Sequence, residues 1–464
     1  MPPSSDPRRG LPSVAVLLES DAVAGLIALH TRPVVTAALR DVIAAAREAD
    51  NPATDRETII GALQGKLRCL EQGRLRPVIN ATGILLHTGL GRAVLPAEAA
   101  TALGQMDRCC NLQIDLETGL RGKRMAMCEH LICELTGGEA AVIVNNNAAA
   151  TLLILAALCQ GQEVIVSRGE LIEIGGSYRL PDCITAGGCV MREVGTTNKT
   201  HVHDYESAIT VETGALLRVN PSNYRIVGFS QRVSVAALAK LAHENQLPLI
   251  DDLGCGALVD LREYGLPEEP LVQDSIAAGA DIVCFSGDKL IGGPQCGIIV
   301  GRRDLIARIK KHPLTRMLRV GKLTAAALEQ ALRLFRDPAA LRDRHPLYRM
   351  LARTLVDLRE DAAYVQTAIQ AVAGKTYTFE VREGTSEVGG GSLPGVELPT
   401  MLVAIQPPAD GAAALAKALR LGDIPIISRI QDGCVLLDMR TLLPGEVAMV
   451  VDGIKEVLGG SFAS

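Results

Sequence analysis

Between residues 77 and 330, short apolar runs alternate with helical stretches, and this alternation limits the possible folds more than any other feature of the sequence. The apolar runs occupy residues 141–144, 163–166, 247–250, 282–285 and 297–300. Each run is followed at once by Gly, Asn, Asp or Ser, and helical segments such as 235–243 lie between some of them. This order is typical of an α/β fold with a mostly parallel sheet covered by helices on both faces. Ligands of such sheets bind at the carboxyl ends of the strands, where these polar residues fall.

The regions on either side of the α/β pattern predict different structures. Apolar residues recur at helical spacing from about residue 11 to 75, and residues 323–372 are again strongly helical. Residues 376–464 mix predicted strands and helices. We therefore predict an N-terminal helical domain over 1–76, a large domain over 77–330, and a linker helix with a smaller C-terminal α/β domain over 331–464. A chain of 464 residues is long enough for more than one core.

Composition and cysteine spacing narrow the class of protein. The net charge of −5 argues against a nucleic-acid binder that uses its whole surface, although a local basic patch remains compatible with it. None of the 12 cysteines forms a CxxC pair, so we expect buried thiols in a reducing compartment and no metal site. The longest apolar run, 152–159, is far shorter than the roughly 20 residues of a membrane span. We expect a cytoplasmic protein without a membrane partner.

Lys289 is the first candidate for chemistry. It follows the apolar run 282–285 and precedes Gly292 and Gly293. A lysine at the end of a strand can be partly desolvated, which lowers the pKa of its amine and makes it a usable nucleophile. The two glycines would let the backbone approach a bulky cofactor. Taken alone, the segment fits a surface lysine in a β-turn almost as well.

A second candidate lies in the preceding apolar run, which ends in Asp251 and Asp252. Pyridoxal 5′-phosphate (PLP) needs a carboxylate against its pyridine nitrogen, and a strand-end Asp before a strand-end Lys is the order of aminotransferase-like PLP enzymes. We favour Asp252 because it lies closer to the glycine-rich turn that follows. Either acid taken alone fits a helix or turn cap equally well.

The third candidate is the segment 144–151, in which a predicted strand ends at three asparagines and a helix begins. Asn145, Asn146 and Asn147 can cap this helix, and its N-terminal amides form a cup for a phosphate group. Any capped helix looks similar, so the segment is weak evidence by itself. The three elements in this order predict PLP, bound as a Schiff base to Lys289.

Longer motifs resemble one family across nearly the whole chain. They are 79–92 (INATGILLHTGLGR), 115–122 (DLETGLRG), 144–150 (VNNNAAA), 163–169 (EVIVSRG), 173–177 (EIGGS), 194–198 (VGTTN), 286–289 (SGDK), 389–394 (GGGSLP) and 436–441 (LLDMRT). In these segments, and in its N-terminal helices, the chain resembles the bacterial selenocysteine synthases, the L-seryl-tRNA(Sec) selenium transferases.

This resemblance implies a fold and a reaction. The fold would be the aminotransferase-like PLP fold (fold type I), assembled into a homo-oligomeric ring of dimers. The reaction would convert L-seryl-tRNA(Sec) to L-selenocysteinyl-tRNA(Sec) with selenophosphate, through a PLP-bound dehydroalanyl-tRNA intermediate. The N-terminal helices would hold the tRNA. The charges of residues 1–75 are roughly balanced and would not by themselves suggest RNA binding.

The resemblance also carries residue roles onto matching positions. Lys289 would hold PLP and then act as the base at Cα, and Asp288 would orient its amine or help the hydroxyl to leave. Three arginines would form an anion site for selenophosphate: Arg92, Arg316 and Arg319. Ser286 would contact the cofactor. The candidates for substrate contacts are Thr196, Thr197, Arg121 and Arg124. Because Arg316 and Arg319 are three residues apart, we expect them on one face of a helix.

Some positions depart from the family pattern, and two other functions remain open. Gly89, Cys255 and the run 125–127 replace the residues usual there, which leaves the substrate contacts uncertain. A small-molecule PLP lyase, such as an amino-sugar-phosphate ammonia-lyase, and a non-catalytic tRNA-binding relative are the alternatives. The long N-terminal helical region favours the selenium transferase over the lyase, and Lys289 with Asp252 argues against the non-catalytic relative.

Overall fold

The computed structural model describes residues 10–48, 54–71, 75–176, 178–373, 376–408 and 411–459. The chain divides into two units, Met1–Val78 and Ile79–Ser464. The first unit contains four helices: α1 (Val14–Leu18), α2 (Asp21–His30), α3 (Arg32–Glu48) and α4 (Arg56–Glu71). The expected helical N-terminus is thus confirmed. The boundaries of the three-part division at 76/77 and 330/331 stay predictions.

Two of the four N-terminal helices begin at capping side chains, and all four pack through one apolar cluster. The Ser13 hydroxyl accepts a hydrogen bond from the Val16 N–H at the start of α1, and the Asp55 carboxylate accepts one from the Thr58 N–H at the start of α4. These caps bind backbone donors that have no partner within the helix. The cluster is aliphatic and contains Leu17, Val23, Val35, Ala38, Leu39, Ile43, Ile59, Leu63 and Leu67.

The second unit contains fifteen described strands and fifteen described α-helices. The strands are β1 (Ile79–Asn80), β2 (Ala140–Val144), β3 (Glu163–Ser167), β4 (Glu173–Ile174), β5 (Tyr178–Arg179), β6 (Val190–Val194), β7 (Thr213–Val219), β8 (Leu249–Gly254), β9 (Ile282–Ser286), β10 (Gly297–Gly301), β11 (Thr378–Gly389), β12 (Ser392–Gln406), β13 (Ile426–Ile427), β14 (Arg429–Gln431) and β15 (Cys434–Asp438).

The helices of this unit are α5 (Ala97–Gly104), α6 (Ala126–Thr136), α7 (Asn147–Leu158), α8 (Leu180–Ala186), α9 (Val202–Glu206), α10 (Val235–Glu244), α11 (Val272–Ala277), α12 (Arg303–Lys311), α13 (Pro313–Met317), α14 (Lys322–Leu334), α15 (Leu341–Arg344), α16 (Pro346–Ala352), α17 (Leu355–Ala373), α18 (Ala412–Leu421) and α19 (Glu446–Gly459). Within the described ranges, none of the chain's helices is long and apolar enough to cross a membrane.

A seven-stranded sheet forms the centre of the unit, in the order β2-β10-β9-β8-β7-β3-β6. The ladders from β9 to β6 are parallel, and β10 runs antiparallel to both of its neighbours. Alternate side chains enter two different apolar clusters, so that Ile165 packs on one face and Val164 on the other. Burial on both faces explains why these strands are continuous apolar runs. The predicted mostly parallel sheet is confirmed.

One strand is longer than the sequence pattern predicted. The strand expected to end at Asp251 and Asp252 continues as β8 to Gly254, because Gly254 still pairs with Phe285 of β9. The two aspartates pair with Arg218 and Val219 of β7. Both aspartates therefore lie within the strand, and their side chains point to opposite faces of the sheet.

The C-terminal part of the unit is built on a four-stranded antiparallel sheet in the order β11-β12-β15-β14. Helices α17, α18 and α19 supply apolar residues to its core, among them Leu358, Leu415 and Ile454. Strand β1 pairs with β13, and Ile79 belongs to the same core. The smaller C-terminal α/β region is thus present, and it includes a short segment from before the large sheet.

Asp438 links β1's following loop to this sheet. Its fully buried carboxylate accepts hydrogen bonds from the hydroxyls of Ser386 and Thr400, at 2.9 and 2.7 Å, and from Arg429 at 3.2 Å. Gly83 packs directly against it: a Cβ at this position would lie 2.1 Å from a carboxylate oxygen, and φ is +79°. The motif 436–441 therefore has a structural reason, since its aspartate closes the C-terminal sheet.

Gly83→Ala should destabilise the protein more than an alanine at another left-handed glycine. Ala at positive φ costs about 1–2 kcal/mol, and displacing the buried Asp438 carboxylate adds a further penalty of about 1–3 kcal/mol. Gly137→Ala is the matched control, because Gly137 has φ +77° and open space at the Cβ position. Urea denaturation of both variants measures the difference, and equal losses would contradict the role given to Asp438.

Candidate active site

A cavity of about 280 Å³ opens at the carboxyl ends of the parallel strands. Seven of the residues singled out in the sequence line it: Arg92, Asn146, Asn147, Asp252, Ser286, Asp288 and Lys289. They come from four separate segments of the chain. The parallel sheet brings them together because the carboxyl ends of its strands meet at one edge.

Lys289 lies in the turn that follows β9. Its side chain is almost buried, with 6% of the residue exposed. The Gly292 N–H donates to the Lys289 carbonyl at 2.9 Å and closes this turn. Opposite the amine is Gly391, from the connection between β11 and β12: a Cβ there would lie 3.5 Å from Lys289 Nζ. The φ of Gly391 is +74° and a Cβ there would also lie 3.1 Å from Ile174 Cδ1, so this position beside the amine favours glycine.

Asp252 faces the cavity, and its carboxylate is bound from two elements. Asn147 Nδ2 and Thr151 Oγ1, both on α7, donate to its two oxygens at 2.8 Å each, and the Gly254 N–H donates at 3.0 Å. Burial raises the pKa of Asp252, while these hydrogen bonds and the charge of Lys289 act in the opposite direction. The structure places Asp252 where a carboxylate can face a cofactor ring.

Asp251 points away from the cavity. Arg218 Nη1 donates to one of its oxygens at 2.7 Å, and the Ser275 hydroxyl donates to the other at 2.7 Å. The alternation of side chains along β8 separates the two aspartates. The preference for Asp252 thus agrees with the geometry.

The N-terminus of α7 forms one wall of the same cavity. Asn146 caps the helix by accepting a hydrogen bond from the Ala149 N–H at 2.9 Å. Asn146, Asn147 and Ala148 all line the cavity. The first N–H groups of a helix have no partner within it, and they favour an anion. Asn145 is exposed and lies outside the cavity. Its N–H donates to the Leu318 carbonyl at 3.0 Å.

Asp288 and Arg92 form an ion pair next to Lys289. Arg92 Nη1 lies 2.7 Å from Asp288 Oδ2, and the aspartate side chain is only 7% exposed. Arg92 has a positive φ of 64°, which is costly for a residue with a side chain, and it follows Gly91 at φ +94°. Such strain is often found at functional sites. Here the backbone conformation turns the guanidinium towards Asp288.

Several residues in or next to the cavity were not predicted from the sequence. Thr151 is the clearest, since it binds Asp252 from one helical turn after Asn147, and the i, i+4 spacing of the two was a usable signal. Other residues line the cavity from β5 and from connections between strands, and they carry no local pattern: Tyr178, Asn220, Ser222 and Gln295.

The expectation for Gly292 and Gly293 is wrong. A Cβ at Gly292 would lie 2.0 Å from the ring of His345, and one at Gly293 would approach Ala331 and Leu328 of α14. Both glycines therefore allow close packing behind the Lys289 turn. They do not face the cavity.

Three of the predicted arginines form a separate group. Arg124 Nη1 donates to the Val320 carbonyl at 3.4 Å, next to Arg319 in the chain, and the positive charges of Arg124 and Arg316 lower the pKa of Arg319. The expected common helix face is wrong, because α13 ends at Met317. The backbone of Arg319 instead bridges Val144 at the end of β2. We call Arg124, Arg316 and Arg319 the arginine group.

The remaining predicted residues also lie outside the cavity. Arg121 is exposed on a loop, where its backbone bridges Ile114. Thr196 and Thr197 are in an exposed turn, in which the Thr196 hydroxyl donates to the Lys199 carbonyl at 2.9 Å. Thr197 lines a neighbouring cavity of about 640 Å³. Asn220 lines both cavities and so forms part of the wall between them.

Glu269 lies in the larger cavity beside this wall. Asn220 Nδ2 is 3.4 Å from its Oε1. Burial raises the pKa of Glu269 to about 7, and the positive charge of Lys289 partly opposes that shift. A carboxyl group that changes charge near neutral pH thus lies within electrostatic range of the lysine, on the other side of the Asn220 wall. Over the described ranges of the chain, no group of three or more His, Cys, Asp or Glu side chains could hold a metal ion.

The cavity's residues fit PLP. An amine, a carboxylate and an anion-binding helix start lie around one space of about 280 Å³, and Asn147 Oδ1 is a buried acceptor without a partner among the described residues. The central sheet, the C-terminal sheet and this cavity define the class: an aminotransferase-like, PLP-dependent enzyme of fold type I. The structure of D-glucosaminate-6-phosphate ammonia-lyase has the same fold, with a TM-score of 0.57 at 24% identity over 84% of this chain and 97% of that chain.

Comparison of sequences identifies the family. The family model for L-seryl-tRNA selenium transferase matches residues 78–443, and the model for the selenocysteine synthase N-terminus matches residues 8–47. The L-seryl-tRNA(Sec) selenium transferase of Moorella thermoacetica is 48% identical over 84% of this chain and 84% of its own. That of Geobacter sulfurreducens is 44% identical over 96% of this chain and 98% of its own. The chain belongs to the L-seryl-tRNA selenium transferase family.

Glu269→Gln should make the stability of the protein less dependent on pH. The pKa of Glu269 is raised from 4.5 to about 7, so the folded state holds this proton more tightly than the unfolded chain. Its contribution to stability is fully present below the unfolded pKa and is lost as the pH rises through the folded pKa. Between about pH 5 and pH 8, the free energy of unfolding of the variant should gain up to about 3 kcal/mol on the wild type.

Glu268→Gln is the control, since Glu268 is exposed in the same cavity. Chemical denaturation at both pH values gives the free energies of unfolding. If the two variants follow the same pH dependence, the assignment of a raised pKa to Glu269 is incorrect.

Proposed function

We propose that this protein converts L-seryl-tRNA(Sec) to L-selenocysteinyl-tRNA(Sec) in the cytoplasm, with PLP on Lys289 and selenophosphate as the selenium donor. One observation carries the proposal. Lys289 shares a single cavity with the Arg92–Asp288 pair and with Asp252, in a chain of the L-seryl-tRNA selenium transferase family. These residue roles come from the family resemblance, and the geometry around the cavity is compatible with each of them.

The cofactor would be held at three points. The Lys289 amine would bind its aldehyde carbon, Asp252 would face the ring nitrogen, and the start of α7 would receive the phosphate. PLP supplies an electron sink for the carbon that loses its proton. Asn147 and Thr151 would keep the Asp252 carboxylate in place, since each donates to one of its oxygens.

Lys289 and Asp288 would handle the protons. Once its amine is free, Lys289 would act as the base at the seryl Cα, and its buried position would limit access of water to that step. Asp288 is held by Arg92 at 2.7 Å and would orient the amine or assist departure of the hydroxyl group. Arg92 itself is 30% exposed and can still reach an anion in the cavity.

The arginine group would bind selenophosphate in an assembled oligomer. Three guanidinium groups that repel one another are stabilised by a compact, multiply charged anion, which can accept paired hydrogen bonds from each. The group lies outside the Lys289 cavity of its own chain, next to the end of the edge strand β2. A second copy of the chain would therefore have to bring its arginine group to the cavity. The N-terminal helices would bind the tRNA.

The first test is spectroscopic. The protein loaded with PLP should show an absorbance band that changes on addition of seryl-tRNA(Sec) but not of free serine, because the tRNA provides most of the binding energy. D-Glucosaminate 6-phosphate is the third ligand to be added. A band that changes with the amino sugar phosphate and not with the tRNA would contradict the transferase function and support a lyase.

Arg316→Ala should weaken selenium transfer without affecting cofactor or tRNA binding. Losing one charge-assisted contact to an anion costs about 1.5–3 kcal/mol, which corresponds to a roughly 10- to 100-fold loss of selenophosphate affinity. Lys311→Ala is the control, since Lys311 is an exposed cation at the end of α12. Steady-state assays with varied selenophosphate measure the effect. Normal selenium transfer by Arg316→Ala would contradict the proposal that the arginine group binds selenophosphate.

A further inference from the structure

The turn that carries Lys289 is bound from behind by a short helix. Tyr348, on α16, donates its hydroxyl to the Leu290 carbonyl at 2.9 Å. His345, which immediately precedes α16, has Nε2 at 3.1 Å from the Ile291 carbonyl. These are the two carbonyl groups that follow Lys289 in the chain. Both side chains are completely buried, so neither bond is shared with solvent.

His345 acts as a fixed hydrogen-bond donor. Burial lowers its pKa to about 4, so the imidazole is uncharged at neutral pH and carries one N–H. Because a carbonyl oxygen only accepts, that proton must be on Nε2. The other ring nitrogen, Nδ1, is buried without a partner among the described residues. The tautomer is therefore set by the Lys289 turn.

The ring of His345 also packs directly on this turn. Gly292 has φ +62°, and a Cβ there would lie 2.0 Å from His345 Cε1 and 2.3 Å from Nε2. No other residue fits without moving either the ring or the backbone. The turn therefore has no room to shift towards α16.

Aromatic packing holds the two side chains in place. The rings of His345 and Tyr348 are 4.9 Å apart and nearly perpendicular, and Phe335 lies edge-on to both at 5.8 and 5.7 Å. Tyr264 packs on Tyr348 at 5.3 Å. The chain has only 5 Phe, 7 Tyr and no Trp, and its cores are otherwise aliphatic. Edge-to-face pairs restrict ring orientation more than aliphatic contacts do.

The far end of α16 is fixed as well. Arg440, from the motif 436–441, donates from Nη1 to the carbonyls of Met350 and Arg353 at 2.9 and 3.1 Å. Arg440 is 3% exposed, and its own N–H donates to Asp438 at 3.0 Å. The helix behind Lys289 is thus attached to the C-terminal sheet and provides a rigid base.

We propose that His345 and Tyr348 are positioning residues that hold the backbone after Lys289 and so direct its amine into the cavity. The inference rests on the proposed function, in which Lys289 binds PLP and then acts as the base. Proton transfer requires the amine within hydrogen-bond distance of the seryl Cα, and small displacements of a reacting group are costly. Neither residue lines the cavity, so both act through the turn.

Tyr348→Phe is the first variant, because it removes one hydrogen bond and keeps the ring. We expect kcat for selenium transfer to fall about three- to tenfold, with the KM for seryl-tRNA unchanged. We also expect a shifted pH midpoint for the absorbance band of the PLP-loaded protein, a readout that needs no turnover. Tyr264→Phe is the matched control: it removes a hydroxyl from the same aromatic cluster, on a ring that faces Arg342. If Tyr348→Phe behaves like Tyr264→Phe in both measurements, the inference is overturned.

His345 is tested by a pair of variants. The amide of His345→Gln can still donate to the Ile291 carbonyl, whereas His345→Leu cannot. We expect Gln to retain the band midpoint and most of kcat, and Leu to lose both. Equal behaviour of the two in protein that remains folded by thermal melting would mean that His345 only fills space, which contradicts the proposal.

The measurements separate this inference from the proposed function. If the wild type shows the absorbance band but transfers no selenium, the proposed reaction fails, and the band midpoints of Tyr348→Phe and Tyr264→Phe still test the positioning role. If PLP gives no band in the wild type and Lys289→Ala binds it equally well, Lys289 does not hold the cofactor and the inference fails with that assignment.

Discussion

The hydrogen bonds of the Asp252 carboxylate hold together the elements on which the rest of the cavity depends. A carboxylate at this depth keeps its charge only if its oxygens are bound, because burial alone favours the neutral form. Asn147 and Thr151 bind it from α7, and Gly254 binds it from its own strand. The same bonds fix the start of α7 against the end of β8. One interaction therefore fixes both a carboxylate and a helix start at the edge of the cavity, where the proposed binding of PLP would use them for the ring and the phosphate.

Around this interaction, most buried charges occur in pairs and Lys289 faces the open space. Asp251 pairs with Arg218, Glu170 with Arg232, and Asp288 with Arg92. Pairing offsets the cost of removing charges from water, and an unpaired buried carboxyl group takes up a proton instead. Glu269 is such a group, since burial raises its pKa to about 7. The packing behind the lysine is uncharged, since His345 is neutral and Tyr348 donates only a hydroxyl. The amine is thus held by an apolar, aromatic support and directed towards a polar cavity.

Parts of the site could be predicted because their chemistry depends on residues that are close together in the sequence. The sequence predicted strand ends at 144, 252 and 285, within two residues of the observed ends at 144, 254 and 286, and the sheet brings these ends together. Thr151 was not predicted, although its i, i+4 spacing from Asn147 indicates that the two side chains share a helix face. The purpose of Gly292 was misjudged, because its partner His345 lies more than fifty residues along the chain. The prediction that Arg316 and Arg319 share a helix face is wrong, because Arg319 lies beyond the end of the helix and its backbone pairs with Val144. That pairing is a tertiary contact.

The sequence by itself determined the kind of fold, the order of lysine, aspartate and asparagine motifs, and the family. The fold and the motif order depend on side-chain period and local spacing, and the family depends on the resemblance of longer motifs; all of these are properties of a linear chain. Only the tertiary structure decided which aspartate faces the cavity, which side chains bind it, and which predicted arginines lie together but away from Lys289. Those outcomes depend on contacts between residues distant in sequence: the register of β7 with β8, the approach of α7 to a strand end, and the packing of α16 behind the Lys289 turn. Spacing along the chain carries no information about such contacts until the sheet has set the strands side by side.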